Sequence, residues 1–238
     1  MWRVILVAAA LAGCDVTLSE IDNIYSRGAD HPVLCAISID NKNTVSTDAI
    51  SIGLDRATID QTVLHLYSHK PNGTIDESTL EQVVAGAADR NMTFVTYADL
   101  ADGTATQGLA LSFDDHDMVG WNSLLPMFEL YGARVTFFVS AYTYITDADR
   151  LLLRNLEAAG HAIEYHSTAH EDAESYSAAF GVDAYIADDI LPGLAAMRAD
   201  GYNPRVFAYP FGRRNAETDA AILEHLPLIR ASTFNCPH

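Results

Sequence analysis

Leu109-Ala110-Leu111-Ser112-Phe113-Asp114-Asp115 is the stretch that decides the fold. A short apolar run of this kind reads as a buried strand. It ends in two adjacent carboxylates, followed by His116 and Asp117. Neighbouring like charges drive one pKa upward unless a cation or a proton lies between them. In parallel α/β folds the C-terminal ends of strands are where chemistry is placed. An isolated Asp-Asp pair after a strand is more often a solvated loop, so the flanking sequence must give the pair its reason.

Upstream, apolar strands at Val33 to Ile39 and Val63 to Tyr67 alternate with helical spacings. Ile50, Leu54 and Ala57 form one such helix, with Thr47 as its N-cap. Leu80, Val83, Val84, Ala87 and Ala88 form the next, and Thr93 to Val95 is a short strand. Downstream, a helix through Leu124 to Leu130 stops at Gly132. Strands are expected at Arg134 to Ser140, Ala162 to Glu164, Arg205 to Ala208 and Leu226 to Ile229, with helices between them. The pair Phe137-Phe138 reads as core. This alternation argues for an α/β fold with parallel strands covered by helices. With no dinucleotide-binding glycine motif, a barrel is expected rather than an open sheet.

The chain has 238 residues, 49% of them hydrophobic, enough for one sizeable core. Fourteen Lys and Arg stand against 32 Asp and Glu, a formal charge of −18. That balance argues against nucleic acid, whose phosphates need clustered cations, and leaves neutral sugars open as partners.

The N-terminus opens with Arg3 and an apolar run too short to span a bilayer. Leu11-Ala12-Gly13-Cys14 resembles a bacterial lipobox. Residues 1–13 are therefore read as a lipoprotein signal, Cys14 as the lipidated residue, and 14–30 as a polar tether. The domain is placed at 31–238. An exported location in the bacterial envelope permits a disulfide between Cys35 and Cys236, and two unpaired buried thiols are the alternative.

Three strand ends carry reactive side chains: Asp114-Asp115, Tyr165 to His170, and Tyr209 to Gly212. Barrel strands bring such ends to one mouth. His166 and His170 are four apart, which on a helical turn puts both rings on one face. Two histidines with one carboxylate suit a divalent metal that keeps open positions. An isolated pair with this spacing is commonly incidental; its coincidence with the acid pair favours a metal site.

These segments resemble the motifs of the polysaccharide deacetylase family, the carbohydrate esterases with a NodB-homology domain. Ser112-Phe113-Asp114-Asp115 is similar to the first motif, Gly160 through His170 to the second, and Tyr209-Pro210-Phe211-Gly212 to the third. Gly132 to Val139 resembles a recurrent family strand. The resemblance implies a distorted (β/α)7-type barrel. It implies Asp115, His166 and His170 as ligands of a divalent metal, zinc foremost, with cobalt or nickel as alternatives. Asp114 would be the general base, and the Phe211 N–H would face the oxyanion. Tyr209, Pro210, Tyr165 and Trp121 are the candidates to meet the sugar, with packing against the barrel top as the alternative for Tyr165 and the favoured one for Trp121. One carboxylate must ligate while its neighbour stays free to take a proton, which gives the Asp-Asp pair a reason to exist.

Two positions depart from the family. Ala208 stands where an Arg usually orients the base, with Arg205, Arg213 or Arg214 as substitutes. The late Leu-x-His motif, which supplies a general acid, is absent. Some family members look circularly permuted, and Val63 to His69 is similar to their Leu-x-Tyr-His segment. His69 is the first candidate for the acid and His65 the second, with Asp40 as its orienting partner. His116 is read as a rim residue, and His161 and His225 as structural. The resulting expectation is a metal-dependent deacetylase acting on N-acetyl or O-acetyl groups of an envelope or extracellular polysaccharide. The competing expectation is an inactive carbohydrate-binding lipoprotein that keeps the barrel.

Overall fold

The computed structural model describes residues 17–237. The strands are β1 (Tyr25–Ser26), β2 (Val33–Ser38), β3 (Val63–Ser68), β4 (Gly108–Asp115), β5 (Thr136–Val139), β6 (Ala162–Tyr165), β7 (Val206–Ala208) and β8 (Leu228–Ser232). β2 through β8 run parallel, and the sheet closes because β3 pairs with β4 as well as with β2. The result is a seven-stranded parallel barrel wrapped by helices. The strands are nearly continuous apolar runs because both of their faces are covered.

Closure is strongest at β3–β4, where Val63 to Ser68 register against Gly108 to Phe113. It is weakest at β6–β7, with Tyr165 opposite Phe207 as the one registered pair. The Glu164 carboxylate reinforces that seam by accepting the N–H groups of Arg205 and Val206, both at 2.7 Å. Burial pushes this carboxyl up to about 8, against the two backbone donors that favour its ionised form. Strand alternation sends Val63, Ala110, Phe138, Val206 and Leu228 into the lower barrel, where Tyr97 and Leu100 join them as a plug. Further along β4 and β8 the same alternation brings Asp114 and Arg230 together.

Residues 17–30 are part of the domain, not a tether. Leu18 and Ile24 are fully buried, and β1 pairs antiparallel with Val63–Leu64. The turn Leu18–Glu20 docks against the helix Thr47–Asp60, where a Cβ on Gly53 would meet the Leu18 Cβ at 3.2 Å, and the turn Asp22–Ile24 packs on β2 and β3. Arg56 of that helix donates to the Ser19 carbonyl at 2.9 Å and lies over the Tyr25 ring. The signal segment and Cys14 lie outside the described residues. Cys35 and Cys236 form a disulfide, with Cα atoms 5.8 Å apart. Ser46, one residue before the expected Thr47, caps the first helix by accepting from the Ala49 N–H. Thr93 to Val95 forms no strand; Phe94 makes a single bridge to Leu109. No helix among the described residues is long and apolar enough to cross a membrane.

Candidate active site

A cavity of about 700 Å³ opens at the C-terminal ends of the strands, and Asp114, Asp115, His166, His170, His69 and Arg230 all line it. A second cavity, of about 600 Å³, lies beside Ser26, Leu34 and His65 and holds none of those groups.

Asp115 Oδ1 lies 3.2 Å from His170 Nε2 and 3.6 Å from His166 Nε2. One donor atom from each of the three residues falls within 4.8 Å of the others. His166 Nδ1 is 2.7 Å from the Ala208 carbonyl, which must accept its proton. That bond fixes the tautomer and leaves the Nε2 lone pair for a metal. Burial disfavours a charged Asp115, but the two histidines outweigh it and hold the carboxyl well below the usual range. Two imidazole nitrogens and one carboxylate oxygen at this spacing fit a divalent metal ion.

The loop that carries the histidines is not the helical turn their spacing suggests. Ser167 and His170 have φ of +76° and +60°. Asp115 (+84°) and Phe211 (+56°) share this left-handed conformation. Non-glycine residues there cost of order 1–3 kcal/mol each and persist where surrounding structure holds them, commonly at functional sites.

Asp114 is buried and pairs with Arg230 through Oδ2. Its Oδ1 has no hydrogen-bond partner among the described residues. Arg230 is itself buried, with its guanidinium 4.4 Å from the Tyr67 ring centroid and 5.2 Å from that of Phe138. Arg230, and not Arg205, Arg213 or Arg214, is the cation paired with Asp114. Arg205 is turned to Asp102, Arg213 to Glu174 and Arg214 to Asp219. One signal for Arg230 was present: a lone charge inside the apolar strand Leu228-Ile229-Arg230-Ala231 demands a buried carboxylate.

Across the cavity, His69 Nδ1 lies 2.5 Å from Asp40 Oδ2. Asp40 Oδ1 accepts from Ser68 Oγ at 2.6 Å and Thr74 Oγ1 at 2.9 Å. His65 does not reach this cavity. Its nitrogens bond Ser26 and Tyr97 at 2.8 and 3.0 Å, and burial pushes its pKa down to about 3.

Comparison with known sequences decides the lineage. A family model described as "Polysaccharide deacetylase" matches residues 101–227, more than half of the chain. The chain belongs to the polysaccharide deacetylase family. Over 124 residues it is 31% identical to a protein of Arthroderma benhamiae named "Probable peptidoglycan-N-acetylglucosamine deacetylase". That match covers 50% of this chain and 27% of the relative, so the chain spans about a quarter of that protein's length. Among solved structures, IcaB from Ammonifex degensii superimposes with a TM-score of 0.50 at 16% identity, covering 85% of both chains. The BpsB deacetylase domain from Bordetella bronchiseptica gives 0.50 at 12%, covering 89% of this chain and 96% of that one. Both likenesses speak to the fold, and both extend beyond the matched family segment.

Several sugar-contact residues expected for a polysaccharide deacetylase are placed elsewhere. Tyr165 is fully buried, with its hydroxyl 2.8 Å from Thr168 Oγ1 and from the Asp189 carbonyl. Trp121 is fully buried against Phe137, and its Nε1 donates to the His69 carbonyl at 3.0 Å. Trp121 thus braces the backbone at His69 instead of meeting solvent. Tyr209 borders the cavity, but its hydroxyl is spent on Asp219 at 2.9 Å and Thr218 at 3.0 Å. Pro210 is buried. Phe211 is 60% exposed, and its ring meets the His170 ring at 4.7 Å. His116 lies exposed at the rim, 3.2 Å from Ser140 Oγ.

Proposed function

We propose that this protein is a metal-dependent deacetylase of N-acetylated, or alternatively O-acetylated, polysaccharide. It would act in the bacterial envelope, exported and anchored through a lipidated Cys14. The observation that carries the reading is the convergence of three sets on one cavity: Asp115 with His166 and His170, Asp114 with Arg230, and His69 with Asp40.

Asp115, His166 and His170 would hold the ion, zinc by their donor set, with cobalt or nickel as alternatives. A divalent ion there supplies Lewis acidity and lowers the pKa of water to roughly 7. Asp114 takes the proton of the attacking water on Oδ1 while Arg230 holds Oδ2 in place. The Phe211 N–H, turned by its left-handed backbone, donates to the oxygen that gains charge. His69 delivers a proton to the departing amine, and Asp40 keeps the ring oriented and charged. The missing Arg and the unassigned acid favoured the inactive carbohydrate-binding reading, and Arg230 and His69 supply candidates for both.

The test is acetate release from N-acetylglucosamine oligomers by protein lacking the first 13 residues, beside a panel of acetylated esters. Activity lost to chelator and restored by zinc or cobalt is expected. Chelator-resistant turnover, or an active Asp114→Asn protein, overturns the reading. Membrane fractionation of a Cys14→Ser variant tests the anchor.

A further inference from the structure

The loop between the two histidines is held from outside by one buried residue, Asp189. The Ala169 N–H donates to Asp189 Oδ1 at 2.5 Å, and Ser167 Oγ reaches the same oxygen at 3.3 Å. Ser167 Oγ in turn accepts the His170 N–H at 2.7 Å. The main chain of Asp189 takes part as well, since its carbonyl accepts the Thr168 N–H at 2.9 Å. Asp189 therefore holds three consecutive residues, Ser167, Thr168 and Ala169, directly before His170.

Its position on the chain explains how one residue does this. Asp189 lies in a π-helical turn, Ile186–Ile190. Such a turn widens the helix locally, which frees carbonyls from the regular ladder and recurs at functional sites. Four residues after Asp189, in the α-helix Leu191–Ala199 that follows, Gly193 donates its N–H to Thr168 Oγ1 at 2.8 Å. A Cβ on Gly193 would lie 2.6 Å from the Tyr165 hydroxyl, so the contact is as close as backbone permits. Asp189 is 1% exposed, and its Oδ2 has no hydrogen-bond partner among the described residues. Keeping a carboxylate there is expensive, and the loop it braces supplies the reason.

The geometry points to Asp189 as a positioning residue for the metal-binding loop, one that fixes the left-handed backbone at Ser167 and His170 and thereby the affinity of the site for a divalent ion. The inference rests on the reading of Asp115, His166 and His170 as ligands. It separates the two histidines. His166 is set by a strand and by the Ala208 carbonyl, whereas His170 stands on the braced loop. Partners that orient a ligand from outside the coordination sphere change metal affinity by about 10–100-fold when removed.

The experiment measures zinc affinity by competition with a chromophoric chelator, and the visible spectrum of the cobalt-loaded protein, for wild type, Asp189→Ala and Asp189→Asn. Asp189→Ala is expected to bind zinc about 10–100-fold more weakly and to change the cobalt spectrum. Asp189→Asn keeps an acceptor at Oδ1 and is expected to restore most of the affinity. A folded Asp189→Ala protein with wild-type affinity and spectrum overturns the assignment. If that variant does not fold, Ser167→Ala decides alone, because it removes only the hydroxyl linking Asp189 to the His170 N–H. Unchanged zinc affinity in Ser167→Ala then overturns the assignment, and a weakened one supports it. Wild-type protein that binds neither zinc nor cobalt refutes the metal reading itself, and the present inference with it. Wild-type protein that binds both, beside an unaltered Asp189→Ala, refutes the inference and leaves the metal reading standing.

Discussion

Asp40→Asn is the perturbation that most directly tests the proton-donating side of the site. The Asp40 side chain is fully buried, and the His69 side chain is 24% exposed. Burial works against a charged His69 ring, but the bond to Asp40, with Asp114 and Asp115 nearby, outweighs it and raises the pKa above its ordinary 6.5. A hydrogen bond to a charged group contributes about 1.5–3 kcal/mol. At 1.36 kcal/mol per pKa unit, removing the Asp40 charge lowers His69 by roughly 1–2 units. A general acid must carry its proton, so the alkaline limb of the kcat profile moves to lower pH by the same amount. Turnover on the alkaline side falls about 10–100-fold. The stability sign follows from the same shifts. The raised His69 pKa makes the pair's contribution full below the unfolded value near 6.5, and it fades as pH rises through the folded one. The lowered Asp40 pKa sets the other edge, since that contribution fades as pH falls through the folded carboxylate value. The deficit of Asp40→Asn in urea unfolding should therefore be largest at mildly acidic pH. Acetate release from pH 5 to 10, with an imidazole NMR titration of metal-free protein, reads both effects. An alkaline limb and a His69 titration that do not move would place the acid elsewhere.

Arg230→Met leaves Asp114 buried without its cation, and about 3–5 kcal/mol of unfolding free energy should be lost in urea titrations. Asp114→Asn combined with Arg230→Met should recover part of that loss, and strict additivity of the two single changes would count against direct coupling. The Cys35–Cys236 bond joins residues 201 apart in sequence, so Cys35→Ser should cost about 2–5 kcal/mol, read as a lower urea midpoint that reductant no longer shifts. Burial holds His65 near pKa 3 in the folded state, so the unfolded chain binds the extra proton between there and about 6.5. Wild type should lose about 1.4 kcal/mol more per pH unit than His65→Gln on acidification through that window, and equal slopes would refute the buried neutral ring.

The barrel was legible because its strands are buried on both faces and read as apolar runs, with helical spacings between them. The cluster of Asp115, His166 and His170 was legible because each of the three ends a strand or follows one closely. What escaped was set by tertiary closeness. Ala208 has only a methyl group and cannot orient a carboxylate, yet its carbonyl orients His166. Asp114 instead meets Arg230, which is 116 residues away in sequence and across the barrel. Trp121 and Tyr165 looked like sugar platforms because aromatic rings near a strand end serve both packing and binding. Their burial follows from neighbours that no local pattern names. The helical face expected for His166 and His170 failed for a related reason. Asp189 imposes a left-handed loop on that stretch from 19 residues beyond His170, a distance at which spacing rules say nothing.

The family segment, residues 101–227, contains Asp114, Asp115, His166, His170 and Phe211, but not Asp40, His69 or Arg230. Those three lie on or beside β2, β3 and β8, the strands that close the barrel between β7 and β4. Closure therefore joins Asp114, Asp115, His166 and His170 to Arg230 and to the His69–Asp40 pair at one cavity. The pairings β2–β8 and β3–β4 carry that closure, through registers of four and six residue pairs. Metal affinity and turnover consequently report on different parts of one ring of strands. A change at Asp40 or His69 should leave zinc binding near wild type and lower turnover, whereas a change at Asp189 should weaken zinc binding first. A site whose two halves failed together under both kinds of change would not be built as these strands imply.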